Sequence, residues 1–479
     1  MDFNGVTPFD QLTEKWSPVL DHSDMPSIQD DYRRKVTAAL LENQEGALRE
    51  QALSESPLNS AGSAGLQGVG GEQRPMGGYD PILISLVRRA MPNLMAYDVC
   101  GVQPMSAPTG LIFALKSQFD AATRNNEALF NEAGNQGGTG ATATQSFDPL
   151  LGITNADITV SRAMSRQAAE GLDNRSGAGG FKEMAFSIER TSVTAKTRAL
   201  KAEYTTELAQ DLRAVHGLDA ETELANILST EILSEINREI IRTIYGVAKL
   251  GAQHQDLRFA SGTAGGQTGT EGIYDRFTDG VGGIYDLTND SDGRWSAERW
   301  RGLMFQIERE ANTIAKETRR GKGNIIITDA DTASALAMGG FLNISPALNV
   351  NLQIDDTGNT FAGVLNGKFK VYIDPYATVN STSFGQNAPN NYVCVGYKGT
   401  NPYDSGLFYC PYVPLQMVRA VGENTFQPKI GFKTRYGLVS NPFVTQDGLL
   451  GGTPDGETLT VRKNQYYRIF RVMNLHGNA

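Results

Sequence analysis

The clearest pattern of apolar positions in the chain begins after Gly217 and predicts one long helix. Asp219 is placed to cap this helix, and acidic residues follow in its first turns, at the positive end of the helix dipole. Isoleucine and leucine then recur at every fourth position: Leu224, Leu228, Ile232, Ile236, Ile240 and Ile244. This spacing predicts an amphipathic spine helix over 219–250.

A second helical pattern starts at Ser296 and is predicted to stop at Gly321. Its apolar face comprises Trp300, Leu303, Met304, Ile307, Ala311 and Ile314. After that the period changes to two, which is typical of strands. Strands are predicted at Asn324–Thr328, Phe369–Ile373, Tyr392–Tyr397, Leu407–Cys410 and Tyr466–Val472. Asn366 and Gly367 predict a tight hairpin turn, because both accept positive φ.

The region before the spine helix is predicted to be mainly extended. Val99–Leu115 is strand-like with breaks at Pro and Gly, and Phe186–Tyr204 predicts a long exposed strand. Between them, Gln118–Gly180 is rich in Gly, Asn, Thr and Ala and lacks a helical period, which favours an extended arm. Residues 251–294 are Gly- and Asp-rich and predict a loop or hairpin.

The first 55 residues differ from the rest in charge. They hold 11 acidic and 5 basic groups, so they carry −6 of the formal net charge of −10. Ser27 is predicted to cap a helix there, with an apolar stripe made by Ile28, Tyr32, Val36, Ala39 and Leu40. A Gly/Ser/Pro-rich stretch at 54–78 predicts a flexible linker. Two interpretations stay open: a solvated N-terminal helix, or a removable or partner-binding prosegment.

Composition excludes several classes of protein. Of the 479 residues, 40% are apolar and 20% are charged, which is typical of globular chains rather than disordered ones. The first residues lack the basic and apolar regions of a signal peptide, and no apolar run approaches the ~20 residues that span a membrane. Three scattered cysteines predict a reducing compartment and no disulfide framework. Net acidity argues against a general nucleic-acid binder.

The search for catalytic, cofactor-binding and metal-binding residues predicts none. The four histidines, His22, His216, His254 and His476, are far apart, and His216 is expected only to end an element. Cys394 and Cys410 are predicted to be buried free thiols. The stretch from Gly363 to Lys368 is one residue short of a phosphate-binding loop, and the glycines near Gly68 lack the third member of a dinucleotide fingerprint. These observations predict an α+β protein with a structural or assembly role rather than an enzyme.

Three groups of segments make the interpretation sharper, because they resemble the major capsid protein family of T-even-like tailed phages. The first is Arg88–Gly110, and the second is Glu207–Gly217 with Glu235–Glu239. The third is Phe361–Leu365, Val395–Gly399, Phe426–Pro428 and Gly431–Gly437. The matches occur in order over about 12–475, and the insertion that the family carries near its extended loop is short here.

The resemblance implies an α+β, Hong Kong 97-type phage capsid fold, with an N-arm, an extended β-hairpin loop, a peripheral domain with the long spine helix, and an axial domain. The implied division is an acidic, scaffold-facing propeptide at 1–55 and a linker with the N-arm at 56–112. The extended loop follows at 113–203, the peripheral domain at 204–323, the axial domain at 324–420, and a C-terminal return to the peripheral domain at 421–479.

The resemblance also implies a function and partners. The chain would assemble into hexameric capsomers of an icosahedral head that encloses double-stranded DNA without sequence-specific binding. Expected partners are further copies of the chain, the vertex protein, portal, scaffold and maturation protease, and decoration proteins; assembly would occur in the host bacterial cytoplasm. The alternatives are the pentameric vertex protein of the same fold and a cytoplasmic enzyme.

A proteolytic cut follows from the same resemblance. The family's protease cuts after Glu in a Leu/Ile-x-Glu context, which Leu53-Ser54-Glu55 matches just before the predicted linker. The predicted processing pair is therefore Glu55 and Ser56, with Glu50 and Gln51 as the alternative. Such a cut would remove −6 of the formal charge and leave −4 on the mature subunit.

Overall fold

The computed structural model describes most of the predicted elements. The described residues are 8–22, 30–55, 91–119, 126–127, 166–171, 184–252, 283–288, 295–343, 360–375, 391–422, 427–446 and 461–475, with residues 28, 84, 86–88, 291, 377 and 459. Most of Gln118–Gly180, much of 251–294 and nearly all of the predicted linker lie outside them.

Two N-terminal helices precede the rest of the structure. Helix α1 is Pro8–Leu20 and helix α2 is Asp31–Glu55. The predicted cap Ser27 lies outside the described residues, and Ile28 precedes the helix. The cap is instead Asp30, whose carboxylate accepts a hydrogen bond from the Tyr32 amide at 3.1 Å.

The remaining helices lie between groups of strands along the chain. They are α3 Ala96–Val99, α4 Arg166–Glu170, α5 Thr206–Val215, α6 Ala220–Val247, α7 Ser296–Thr318 and α8 Ala330–Met338. Short 3₁₀ helices lie at Met91–Asn93 and Pro442–Gln446. The described chain therefore combines helices and strands, and its α+β class is as predicted.

Fifteen strands are described, and they form three sheets. They are β1 Gly101–Val102, β2 Thr109–Phe119, β3 Asn126–Glu127, β4 Met184–Thr194, β5 Lys196–Glu203, β6 Ala248–Leu250, β7 Ile284–Asp286, β8 Ile325–Thr328, β9 Leu342–Asn343, β10 Thr360–Leu365, β11 Phe369–Ile373, β12 Asn391–Gly396, β13 Leu407–Val421, β14 Pro428–Ser440 and β15 Asn464–Met473.

Strand order separates the three sheets. The first has the order β1-β13-β14-β5, and the third is the small sheet β3-β2-β4. The second has the order β6-β15-β12-β8-β11-β10-β9, and β7 also pairs with β15. Segment 421–479 therefore supplies β14 to the first sheet and β15 to the second, and the predicted boundary at 420/421 falls within β13.

The two long helices α6 and α7 follow the predicted periodicity. Along α6, Leu228, Ile232, Ile236, Ile240 and Ile244 are buried in the main core. Helix α7 ends at Thr318, short of the predicted stop, because Arg319 takes the left-handed backbone conformation with φ 54°. Gly321 has another role, since a Cβ there would lie 2.5 Å from the Tyr397 ring.

The predicted strands are present with different lengths. The Asn366-Gly367 turn is confirmed, with φ of 51° and 67°, and it joins β10 to β11. Leu407–Cys410 continues to Val421 in β13, and β14 is an additional strand that the predicted set does not include. The single strand predicted at Phe186–Tyr204 is two strands, which pair with different sheets on either side of Ala195.

Candidate functional site: an exposed hairpin face and an N-terminal helical pair

Strands β2 and β4 form a long antiparallel hairpin arm. Their register runs from Thr109 opposite Thr194 to Phe119 opposite Met184. Because side chains alternate between the two faces of a sheet, Leu111, Phe113 and Leu115 share one face with Phe186 and Ile188. The two faces of the hairpin therefore differ in composition.

One face of this hairpin is mainly apolar and open to solvent, with exposed Arg190 opposite Phe113 on the same face. The exposed fractions are 52% for Leu111, 59% for Phe113, 63% for Leu115, 62% for Met184, 77% for Phe186 and 68% for Ile188. We call these six residues the hairpin face. Isolated exposed apolar side chains are ordinary, but a contiguous group on one face marks an interaction surface.

The base of the hairpin is fixed to the first sheet by a small core. Ile112 and Val193 pack with Met105, Phe408, Cys410 and Val439 in a cluster separate from the main core. Gly437 of β14 allows the close approach, since a Cβ there would lie 2.5 Å from Val193 Cγ2. The Ala195 amide donates to the Pro108 carbonyl at 2.8 Å. The base is thus rigidly placed, while the hairpin face points away from this contact.

A charged cluster joins the strand that follows the hairpin to the spine helix. Arg198 of β5 pairs with Glu239 of α6 at 2.7 Å and also with Glu235. Its guanidinium lies 5.9 Å from the centre of the Tyr436 ring, and the Tyr436 hydroxyl donates to Glu239. Burial, followed by this hydrogen bond, raises the pKa of Tyr436, so its hydroxyl stays protonated. The cluster fixes the orientation of β5 on α6.

The predicted processing residues lie at the end of α2. Glu55 is the last residue of this helix, and Glu50 and Gln51 lie within its final turns. Ser56 lies outside the described residues. One candidate cut therefore lies at the C-terminal end of α2, and the other lies within the helix, before its last residues.

The N-terminal helices are packed on the protein, which corrects the interpretation of this segment as a solvated N-terminal helix. Asn43 Nδ2 donates to the Met105 carbonyl at 2.8 Å and to the Tyr412 carbonyl at 2.9 Å. Arg33 bonds to the Pro92 carbonyl at 3.0 Å and pairs with Asp98 at 2.6 Å. Tertiary contacts that no local pattern encodes decide this placement.

The chemistry-bearing residues that the sequence analysis weighed have structural positions. Cys394 and Cys410 are buried free thiols in β12 and β13, as predicted, and Cys100 is buried as well. Burial raises the pKa of all three thiols to about 12, so little thiolate forms at neutral pH. His216 is the C-terminal cap of α5, which is also as predicted.

Two kinds of feature are absent from the described part of the chain. Its His, Cys, Asp and Glu side chains include no group of three or more placed to hold a metal ion. Its helices include none that is both long enough and apolar enough to cross a membrane.

Sequence reasoning missed two features of these surfaces. The alternation of Leu111, Phe113 and Leu115 could have indicated an apolar strand face, but it does not show whether that face is covered. The small residues Thr37, Ala38 and Ala39 could have indicated close packing around α2. In both cases the deciding information is which other element lies opposite.

Comparison with known proteins gives a consistent picture over nearly the whole length. The family model described as "Major capsid protein Gp23" matches residues 76–472. The major capsid protein of Serratia phage KSP90 is 36% identical, covering 98% of this chain and 98% of that protein. That of Enterobacteria phage T4 is 34% identical, covering 90% of this chain and 92% of that protein.

Two further comparisons are more distant. The capsid vertex protein of Enterobacteria phage T4 is 28% identical over only 54% of this chain and 53% of its own length. Among solved structures, the capsid of Myoviridae phage XM1 is 11% identical, covers 80% of this chain and 92% of its own, and has a TM-score of 0.35.

Proposed function

Because the chain belongs to the Gp23 major capsid protein family, we propose that it builds the phage head through its hairpin face. It is a structural protein of the virion capsid, of the kind found in T4-like phages, and the match to the vertex protein is partial and weaker. Six copies would form a hexameric capsomer, and such capsomers would tile an icosahedral shell around double-stranded DNA.

The hairpin face is the observation that carries this proposal. A hairpin extended only by the two-residue strand β3 has little core of its own, and six large apolar side chains on its open face need a partner surface. A neighbouring copy supplies that surface in a shell of identical subunits. The hairpin face then meets a different patch on the next copy, and such heterologous contacts close into rings.

The proposed domain division keeps the boundaries that the resemblance implies. The extended loop at 113–203 contains most of the hairpin, whose strand β2 begins at Thr109, and the peripheral domain at 204–323 contains α6. The axial domain at 324–420 contains β8, β11 and β12, while the return at 421–479 contains β14 and β15. The two sheets join these segments, so the division describes regions of one folded chain rather than independent units.

The proposed maturation removes the first 55 residues by a cut between Glu55 and Ser56. Glu55 ends α2, where the final carbonyls have no intrahelical partner and little helix must unwind for a protease to bind. The alternative cut between Glu50 and Gln51 would require unwinding of at least one further turn. The position of the helix end therefore supports Glu55 as the processing residue.

The remaining partners follow from the family resemblance. The vertex protein and portal would replace hexamers at special positions, scaffold and maturation protease would act before the head fills, and decoration proteins would bind the outside. Assembly would take place in the host bacterial cytoplasm. A mature formal charge of −4 suits a wall that encloses DNA without binding strongly to its phosphates.

The test replaces Phe186 by Ser on the hairpin face. Since the side chain is 77% exposed, we expect the free energy of unfolding to change by less than about 0.5 kcal/mol. We expect the yield of shells, counted by electron microscopy and sedimentation, to fall by about tenfold or more because a buried contact between subunits is lost.

The matched control is Phe305→Ser, since Phe305 is 70% exposed but lies on α7. We expect a smaller loss of shells from this control. Normal shells from Phe186→Ser, or equal losses from both variants, would contradict the assigned role of the hairpin face.

A further inference from the structure

We infer that residues 8–48, the α1–α2 pair, act as a ligand for the rest of their own chain. They remain bound after the peptide bond is cut, and they cover an apolar surface until they leave. The biological meaning of this inference rests on the proposed cut after Glu55, but the binding itself does not. The partner is therefore a segment of stated sequence, and its binding surface lies on the described protein.

The burial of α2 is the first observation. Six consecutive residues, Val36–Leu41, are each at most 7% exposed. A helix covered on one side only leaves residues of its other side exposed within each turn, so six buried residues in succession mean that this stretch of α2 is enclosed around its circumference. Helix α1 encloses one side, where Trp16 and Leu20 are buried, and the rest of the protein encloses the other.

The surface beneath the helices is the second observation. Helix α2 packs on β13 and on the 3₁₀ turn Met91–Asn93. Val36, Leu40 and Leu41 belong to one continuous core with the apolar residues of the 91–102 segment: Met91, Leu94, Met95, Ala96, Tyr97, Val99, Cys100 and Val102. Departure of the helices would bring apolar side chains of this core into contact with water.

Hydrogen bonds to main-chain carbonyls give the contact its specificity. Tyr32 donates to the Val102 carbonyl, and Asn43 donates to two carbonyls of the β1–β2 and β13 region. In the opposite direction, Arg88 Nη2 donates to the Leu20 carbonyl at 2.7 Å. These bonds fix the register of the helical pair, because each needs a particular donor opposite a particular carbonyl.

One residue makes the contact weaker than it could be. Gln44 is 0% exposed, yet neither its amide nitrogen nor its amide oxygen has a hydrogen-bond partner among the described residues. A buried unpaired amide is destabilising. The helical pair is thus held by apolar burial and a few specific hydrogen bonds, and it contains one buried amide without a partner among the described residues.

The experiment uses the full chain with a site-specific protease sequence inserted between Glu55 and Ser56. After cutting, gel filtration and mass spectrometry measure how much of the N-terminal fragment co-elutes with the remainder. A labelled synthetic peptide of residues 8–48, added in excess, measures the rate of exchange. We expect the cut fragment to co-elute. When the peptide replaces the cut fragment, we expect the fluorescence of a dye that binds apolar surfaces to stay unchanged.

Three variants test the assigned contacts. We expect Asn43→Ala to speed exchange by about tenfold or more, since two hydrogen bonds are lost, and Gln44→Leu to slow it by several fold, since the unpaired amide is removed. Glu14→Ala, at an exposed position of α1, is the matched control and should leave the rate unchanged.

Prompt loss of the fragment from a remainder that keeps its circular dichroism would overturn the inference. So would a fragment-free remainder that stays soluble and binds no more dye than the intact chain. Equal exchange rates for all three variants would also count against it. Because an unrelated protease makes the cut, failure of the natural cut at Glu55 in virions would leave these measurements unaffected.

Discussion

At the scale of single residues, a buried ion pair joins β15 to α7. Arg468 Nε lies 2.7 Å from Glu310 Oε2, and both side chains are less than 5% exposed. Glu310 also accepts the Ala252 amide at 2.8 Å and the Gln306 amide nitrogen at 2.6 Å. Because every partner is a hydrogen-bond donor, the buried carboxylate is fully satisfied, and α7 is fixed to the second sheet.

We therefore expect Glu310→Leu to lower the free energy of unfolding by about 3–5 kcal/mol, because it removes the buried partner of Arg468 and leaves that buried charge paired only with the partly exposed Glu317. Urea denaturation of the unassembled subunit measures this. Lys201→Ala is the control, since the Lys201–Glu203 pair is 3.4 Å long and largely exposed, and should cost less than about 1 kcal/mol. Similar losses of unfolding free energy for the two variants would contradict the claim that burial makes the Arg468–Glu310 pair important for stability.

At the scale of elements, the spine helix shows how far a periodic pattern predicts structure. The four-residue spacing placed the helix within a few residues of its observed ends, because such a stripe has few ways to be buried other than as a helix. The pattern predicts less well which apolar residues beside this stripe are buried. Ile227 is 63% exposed, although it differs from its buried neighbours only in its angle around the helix.

The contrast within this helix gives a matched pair of substitutions. Ile236→Ala at a fully buried position should lower the free energy of unfolding by about 2–5 kcal/mol, through lost contacts and a cavity. Ile227→Ala should change it by less than about 0.5 kcal/mol. Thermal and urea unfolding would measure both, and a large loss at Ile227 in the unassembled subunit would be inconsistent with the described burial.

Turns and helix ends were predicted unevenly. The Asn366-Gly367 turn follows from backbone energetics alone, because positive φ is accessible to these two residues and to few others. The residue types do not predict the end of α7, because Arg319 rather than a glycine takes the left-handed conformation there. Gly321 does not end α7. A glycine is needed there because the backbone lies close to the Tyr397 ring.

At the scale of the whole molecule, the acidic N-terminal segment is both distinct in charge and integrated by packing. The charge division is a property of the sequence, while the attachment through Arg33, Asn43 and the buried face of α2 is tertiary. The two properties suit the proposal that this segment stays in place during assembly and is removed afterwards.

We predict that the capsid protein in mature virions begins at Ser56 and carries a formal charge of −4 instead of −10. Intact-mass and N-terminal analysis of purified heads would measure the end directly. Glu55→Ala should block this cut or move it to Glu50–Gln51, while Glu45→Ala, within the same helix, should not. A virion protein that begins at Met1, or outside residues 43–56, would contradict the processing proposal.

The sequence by itself determined the local structure and the family. Periodic apolar positions specify α6 and α7, the Asn-Gly pair specifies a turn, and residues spread over the chain specify membership of the capsid family. Tertiary structure alone decided which faces are covered. The pairing of β6 with β15 joins Ala248 to Asn464, and the packing of α2 joins Asn43 to Tyr412. Such contacts depend on which surfaces, distant in sequence, are complementary in shape and hydrogen bonding. Local periodicity does not predict that complementarity.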